Sequence, residues 1–390
     1  MKPPRKPATI LAAARPDHDR AYSGISPPLW SSDTFRWRDA DTKPDYDYSR
    51  TVNPNRDMLS EALSELEGAA GGVVTGSGQS AALLALLLLP SGALVVAPHD
   101  CYGGTYRLIK GFEEQGRLRS TFVEMGEEDS FAGAMDLAPD LVWIETPSNP
   151  LLRITDIADR AAQAKAAGAI VLADNTLATP CRQKPLDLGC DLVMHSTTKA
   201  LNGHADLFGG ALLASDPERL ETIRWWANAA GLSGSAYDSW QILRGLRTLA
   251  LRVDRQEQSA SRIANWLEGH DQIRAVHFPG LASHPDHELA ARQQGGPGFM
   301  ISFRVAGGEA ATASFLSALE LIILASSLGG FATLICKPAT MTHRGMPPKA
   351  QEEAGIDGNL LRLSVGLEEA EDLIDDLKRG FEAARGRDQK

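Results

Sequence analysis

From Leu59 onward the chain alternates between amphipathic stretches and short apolar runs. Leu59–Glu67 spaces its apolar positions as a short helix. Val73–Thr75 reads as a brief strand feeding a glycine turn. Ser80–Leu89 is almost wholly aliphatic and reads as a buried helix closed by Pro90. Apolar runs follow at Leu94–Ala97, Thr121–Val123, Leu141–Glu145, Ile170–Asp174, Leu192–Ser196 and Gly210–Leu213, with a helical stretch at Ile157–Ala167. Continuous apolar strands separated by helices predict a mainly parallel sheet covered on both faces.

A long helical pattern over Tyr237–Leu267 bridges to a second set of elements. Strands are expected near Val276 and at Phe299–Phe303, Ile322–Ala325 and Leu360–Val365, with a closing helix Glu369–Ala384. The predicted fold class is α/β, with a large domain over residues 57–250 and a smaller C-terminal α/β domain over 251–390. Residues 1–56 lack periodicity. Tyr22, Trp30, Phe35, Trp37, Tyr46 and Tyr48 are scattered there among prolines and charges. Such an arm is expected to lie across another surface, such as a neighbouring subunit, with about the first 15 residues frayed.

Composition narrows the function. With 43% hydrophobic and 23% charged residues the chain is an ordinary globular one. A net charge of -11 argues against nonspecific binding to nucleic acid or an anionic membrane. The aliphatic run Ala81–Leu89 is too short to span a bilayer, and no secretory leader is recognisable. Cys101, Cys181, Cys190 and Cys336 form no CxxC pair and read as incidental thiols of a reducing cytoplasm. The histidines show no zinc-site spacing, so no metal is expected; His284 and His287 lie in a polar loop and read as surface residues. There is no GxSxG elbow and no GxxxxGK[ST] loop.

Candidate chemistry concentrates between Ala173 and Gly210. Lys199 follows an apolar run and three hydroxyls, Ser196, Thr197 and Thr198; Asp174 ends another run upstream. In parallel sheets, ligands bind beyond the carboxyl ends of strands. A lysine, small phosphate donors and a carboxylate for a ring nitrogen are what an enzyme of pyridoxal phosphate needs. Alone, Lys199 reads as a surface lysine and Asp174 as a helix cap; together at strand ends they point to a site. TGSGQS (Thr75–Ser80) opens a helix after a strand and offers backbone N–H groups to an anion. Tyr102 lies beside two glycines, which would let its ring approach a flat ligand; core packing is the alternative. Arg362 stands mid-strand among apolar residues and needs an anionic partner, either a substrate carboxylate or a structural carboxylate.

Five separated segments carry a resemblance: YSRTVNPNRD (Tyr48–Asp57), ETPSNPLLRITDI (Glu145–Ile157), ADNT…HSTTK…GHAD, SLGGFATLICKPATMTHRGM (Ser327–Met346) and NLLRLSVGLEEAEDLIDDL (Asn359–Leu377). The chain resembles the fold type I pyridoxal-phosphate enzymes of cysteine and methionine metabolism, from about Thr9 to Ala384. The resemblance implies an aspartate aminotransferase-like cofactor domain and pyridoxal 5'-phosphate as cofactor. Lys199 would carry the cofactor and move protons, Asp174 would pair with its ring nitrogen, and Tyr102 would stack on the ring. Ser196, Thr198, Gly78 and Gln79 would hold the phosphate. Tyr48 and Arg50 would reach that phosphate from a neighbouring subunit of a homotetramer, a dimer of dimers. Arg362, Asn149 and Ser327 would hold the substrate α-carboxylate, and Arg107 would meet the distal acyl group.

The segments Val96–Leu108 and Trp225–Leu249 resemble the branch that joins an O-acylhomoserine to cysteine, giving cystathionine in methionine biosynthesis. The alternative within the family is a lyase that splits cystathionine at its γ or β carbon. A non-catalytic relative is a third possibility, opposed by the joint presence of Lys199, Asp174 and Arg362. The chain departs from the family pattern at Val52, Asn55, Gln79, Leu177, Ala200 and Ala332. Ala332 replaces a glutamate expected near the distal end of the substrate, so it bears on specificity and not on cofactor chemistry.

Overall fold

The computed structural model describes residues 5–13, 19 and 22–385. Its first part runs α1 (Pro7–Ala12), α2 (Pro54–Glu67), β1 (Gly71–Thr75), α3 (Gly78–Leu87), β2 (Ala93–Pro98) and α4 (Gly103–Glu114). It continues with β3 (Leu118–Val123), α5 (Glu128–Met135), β4 (Leu141–Glu145), α6 (Ile157–Ala166), β5 (Ile170–Asp174), β6 (Leu192–His195) and β7 (Gly210–Ala214). The helices α7 (Pro217–Ala229), α8 (Ala236–Leu246) and α9 (Leu249–Glu268) lead to β8 (Ile273–His277) and α10 (His287–Gln293). The chain closes through β9 (Met300–Val305), α11 (Gly308–Ser317), β10 (Ile323–Leu324), β11 (Leu334–Cys336), α12 (Pro348–Glu353), β12 (Leu360–Ser364) and α13 (Ala370–Arg385).

Strands β1 to β7 form one sheet in the order β1-β7-β6-β5-β4-β2-β3. Pairings from β6 through β3 are parallel, and β7 is antiparallel to both its neighbours. Both faces are covered. Leu172, Leu192 and Met194 share a core with residues of α3, α4 and α7, while Val171, Ala173 and Ile144 pack with α5 and α6. Val193, Ala211 and Leu213 pack against α2. Each such aliphatic side chain contributes about 1.5–3 kcal/mol by leaving water, which is why these strands read as unbroken apolar runs. The expected α/β class and mainly parallel sheet are present. A second sheet, β10-β11-β12-β9-β8, sets Arg362 between Ser302 and Cys336 in register, covered by α9, α11 and α13.

Several expectations need correction. The pattern over Tyr237–Leu267 is two helices, because Thr248 leaves helical geometry (φ -108, ψ 9) before α9 begins. The start of the chain is not wholly frayed: α1 buries Ile10 and Leu11 against α2 and α9. The arm covers part of its own aromatic surface. Trp30 packs on the core, Phe35 meets Tyr46 at a ring separation of 5.9 Å, and only Tyr22, Trp37 and Tyr48 of the six are exposed. Asn55, one of the departures, secures the arm: Oδ1 accepts from Trp30 N–H (2.8 Å) and Nδ2 donates to the Pro28 carbonyl (2.9 Å). His284 is buried, its Nδ1 accepting the Asp286 N–H at 3.1 Å.

Candidate active site

Lys199 lies in the turn after β6, where the carboxyl ends of β4, β5 and β6 stand side by side. Its Nζ donates to Ser327 Oγ at 2.8 Å. Burial, then the nearby Arg362 charge, lowers its pKa to about 8. The amine is therefore far closer to its neutral, proton-accepting form than an exposed lysine. Ser327 has φ 98, a left-handed conformation that costs energy outside glycine, and it is held by its contacts on both sides. Two residues later the backbone grazes Lys199: a Cβ on Gly329 (φ +72) would stand 2.7 Å from the Ala200 nitrogen.

The Ser327 carbonyl also accepts from Arg362 Nη2 (2.9 Å), and Arg362 Nη1 donates to Asn149 Oδ1 (2.9 Å). Arg362 Nε is buried without a partner, and among the described residues no carboxylate pairs with this guanidinium. Lys199, Ser327, Arg362 and Asn149 are thus one connected cluster with an unmet demand for an anion.

Asp174 and Glu145 are register partners at the ends of β5 and β4. Burial pushes Glu145 well above the carboxylate range, and the charge of Asp174 adds to that. Asp174 is also pushed up by burial, but Thr176 opposes the push through its hydroxyl (2.5 Å) and its N–H (3.0 Å). Of the two, Glu145 is pushed up the more strongly, since Asp174 alone has the Thr176 hydrogen bonds to oppose the push. Glu145 Oε2 in turn accepts the Tyr102 N–H at 2.8 Å, fixing the start of α4. The sequence offered a signal for Glu145 that went unused: it ends an apolar run as Asp174 does.

The glycines around Tyr102 serve close approach. A Cβ on Gly104 would lie 2.5 Å from both the Tyr102 ring and Gln79 Nε2. A Cβ on Gly78 would fall 2.7 Å from the Ser196 Cβ, so the first turn of α3 faces the Ser196 hydroxyl across a gap only glycine leaves open. Gly78 and Gln79 present N–H groups that have no partner within the helix. Thr198 Oγ1 donates to the Gly209 carbonyl (3.2 Å) and accepts its N–H (3.0 Å), tying the Lys199 turn to β7. Arg107, exposed on α4, packs against Gly345, beside His343. His343 is fully buried, and burial and Arg362 lower its pKa to about 4.

Tyr48 and Arg50 are not brought to this cluster by their own chain. Arg50 Nη1 donates to Asn228 O (2.9 Å) and Oδ1 (2.6 Å) on α7, and its guanidinium stands 5.6 Å from the Tyr48 ring centre. A cavity of about 700 Å³ opens there, lined by Tyr46, Arg56, Asp57, Trp225 and Asn228. It contains neither Lys199 nor Asp174, and its carboxylates and guanidinia have partners.

A profile of the Cys/Met metabolism PLP-dependent enzymes matches residues 8–382. The chain belongs to this family. It is 45% identical to a cystathionine gamma-synthase of Escherichia coli (strain K12) over 381 residues, 97% of this chain and 99% of that one. It is 39% identical to a cystathionine gamma-lyase of Bacillus subtilis (strain 168), covering 97% and 99%. A cystathionine gamma-synthase of Xanthomonas oryzae pv. oryzae, solved in complex with cystathionine, superposes with a TM-score of 0.97 at 48% identity, covering 98% and 99%. The cofactor of this PLP-dependent family is pyridoxal 5'-phosphate. The residues present fit it: a lysine whose pKa is lowered to about 8, a carboxylate at the neighbouring strand end, and a glycine-lined gap between a helix start and a serine hydroxyl. Among the described residues no helix is long and apolar enough to cross a membrane.

Proposed function

We propose that this family member replaces the γ-acyloxy group of O-succinyl- or O-acetylhomoserine with the thiol of cysteine, giving cystathionine. The Cγ–O bond breaks and a Cγ–S bond forms; the acyl group leaves as the carboxylic acid and carries off the thiol proton. The observation that carries this reading is the chain of contacts from Lys199 Nζ through Ser327 to Arg362. It links a proton-transfer group directly to a clamp for an amino-acid carboxylate.

Bound pyridoxal phosphate supplies an electron-withdrawing ring that stabilises negative charge at the substrate carbons. Lys199 would hold it covalently, then take and return protons at Nζ, whose lowered pKa suits repeated transfer. Asp174 would keep the ring nitrogen protonated, and Tyr102 would cover one ring face. Ser196, Thr198 and the N–H groups of Gly78 and Gln79 would hold the phosphate. Arg362 Nε, with Asn149 and Ser327, would receive the α-carboxylate, and Arg107 the distal acyl end. Tyr48 and Arg50 would complete the phosphate site of a neighbouring subunit in a dimer of dimers. On this reading residues 1–56 are an intersubunit arm, 57–250 the cofactor domain and 251–390 a C-terminal domain that delivers Arg362. The enzyme works in the cytoplasm.

The decisive experiment feeds the loaded enzyme each acyl donor with cysteine, and separately cystathionine alone. Cystathionine formation with loss of the acyl group supports the reading. Formation of a 2-oxo acid and ammonia from cystathionine, with no synthesis, would assign the chain to the lyases.

A further inference from the structure

Glu67 ends α2 and is fully buried, although it touches none of the groups assigned above. Its Oε1 lies 2.6 Å from Nε2 of His195, also fully buried, and accepts Asn175 Nδ2 at 2.8 Å. A buried carboxylate with no cation is costly. Among the described residues Oε1 is bonded by this imidazole and by the Asn175 amide, while His195 Nδ1 and Glu67 Oε2 have no partner.

Side chains alternate across a strand. Leu172 and Met194 pack toward α3, α4 and α7; Ala173 and Val193 pack on the other face. Asp174 therefore lies on the Leu172 face, whereas His195 and Asn175 lie on the face where α2 ends. The Asn175 N–H donates to Met194 O at 3.0 Å, closing β5 onto β6 at this level. Asn175 is locked further by Gln183, whose carbonyl accepts Nδ2 (2.8 Å) and whose Nε2 donates to Oδ1 (3.2 Å). One carboxylate thus grips, from behind, the chain neighbours of Asp174 and Ser196.

We propose that Glu67 is a positioning residue of the cofactor site: from the far face of the sheet it holds Asn175 and His195, and through them fixes the place of Asp174. The electrostatics agree. Against the upward push of burial on Asp174 stand the Thr176 hydrogen bonds and then the charge of His195. The other titratable groups facing this pair are Glu145 on β4, pushed well up by burial, and Cys190, whose thiol burial also pushes up. The proposal rests on Asp174 being the partner of the cofactor ring nitrogen.

The test uses the full chain loaded with pyridoxal phosphate. Glu67→Gln keeps the shape and removes the charge. Cofactor affinity should fall about tenfold, the scale for removing an outer partner of a ligand-holding group. The circular dichroism of the bound cofactor's visible band should weaken, because a ring whose nitrogen faces a loosely placed Asp174 is held less rigidly. The double variant Glu67→Gln/His195→Gln buries no unpaired charge and should fold while showing the same two changes. Parental affinity and parental circular dichroism in the folded variants overturn the proposal. Asp174→Asn separates the two failures. If it loosens the cofactor and Glu67→Gln does not, only the role of Glu67 falls; if neither does, the reading of Asp174 falls as well.

Discussion

The cluster around Lys199 and the cavity between the arm and α7 differ in what they lack. At Lys199 the groups are buried and in part unsatisfied: Arg362 keeps an unpartnered Nε, and burial lowers the Lys199 pKa to about 8. At the arm the charges are satisfied, Arg50 by Asn228 and Arg224 by Glu221, but rings are left uncovered at Tyr48, Trp225 and Tyr237. One region is short of a ligand and the other of a surface. Unmet polar demand inside a fold marks chemistry, whereas uncovered aromatic area marks a contact.

The sharpest way to break this comparison is to remove the group that defines the first region. Lys199→Ala should lower turnover roughly 10⁴-fold or more, since among the described residues no other lysine stands at the carboxyl ends of β4, β5 and β6. If Lys199 holds the cofactor as proposed, the variant should also lack the visible band of the covalently held cofactor. A folded variant that retains band and activity would move the chemistry elsewhere.

Next in size is the anion demand of Arg362. Arg362→Lys keeps the charge but loses the planar fork that bonds Asn149 and the Ser327 carbonyl together. The specificity constant should fall by about 2–4 kcal/mol, the scale for damaging one member of a desolvated charge pair. The cofactor spectrum should stay near the parent's. Normal kinetics, or loss of cofactor from a folded variant, would make Arg362 a structural residue.

The second region answers to mixing. Arg50→Ala and Lys199→Ala subunits, each inactive alone, should regain up to about a quarter of parental activity when refolded together, because half of the random dimers are hybrids with one intact site of two. Well-mixed hybrids without recovery would confine Arg50 to its contact with Asn228.

The two regions were also unequally legible. Lys199, Asp174 and Arg362 could be read because each breaks an apolar pattern, and burial of an unpaired charge is costly enough to demand a reason. The Lys199 to Ser327 contact spans 128 positions and belongs to tertiary structure, so no local pattern announces it. Glu145 and His195 end apolar strands as Asp174 does, but their partners lie on α4 and α2, beyond the reach of spacing rules. In the arm, scattered aromatics gave no period, and the cover that Trp30 and Tyr46 find within the chain depends on Asn55 and Asp57 in α2. The break at Thr248 was missed because the apolar spacing of α8 and α9 runs on across it.

The smallest expected effect separates the charges of the two regions by their reach to Lys199. Capture of pyridoxal phosphate by the cofactor-free chain requires the neutral amine. Burial and Arg362 both penalise the ammonium form, so the capture rate should rise with pH and level off above about 8. Removing Arg362 as Arg362→Leu takes away the smaller of the two causes and leaves burial. The midpoint should therefore move upward, toward the ordinary lysine value, by about one unit or less. Arg224→Ala, in the other region, should leave it in place, since that guanidinium is half-exposed and paired with Glu221. Stopped-flow growth of the visible band across pH 6.5–9.5 reads all three midpoints. A downward move for Arg362→Leu contradicts the sign of the charge effect, and an equal move for Arg224→Ala would show that overall charge, and not the cluster at the strand ends, tunes the lysine.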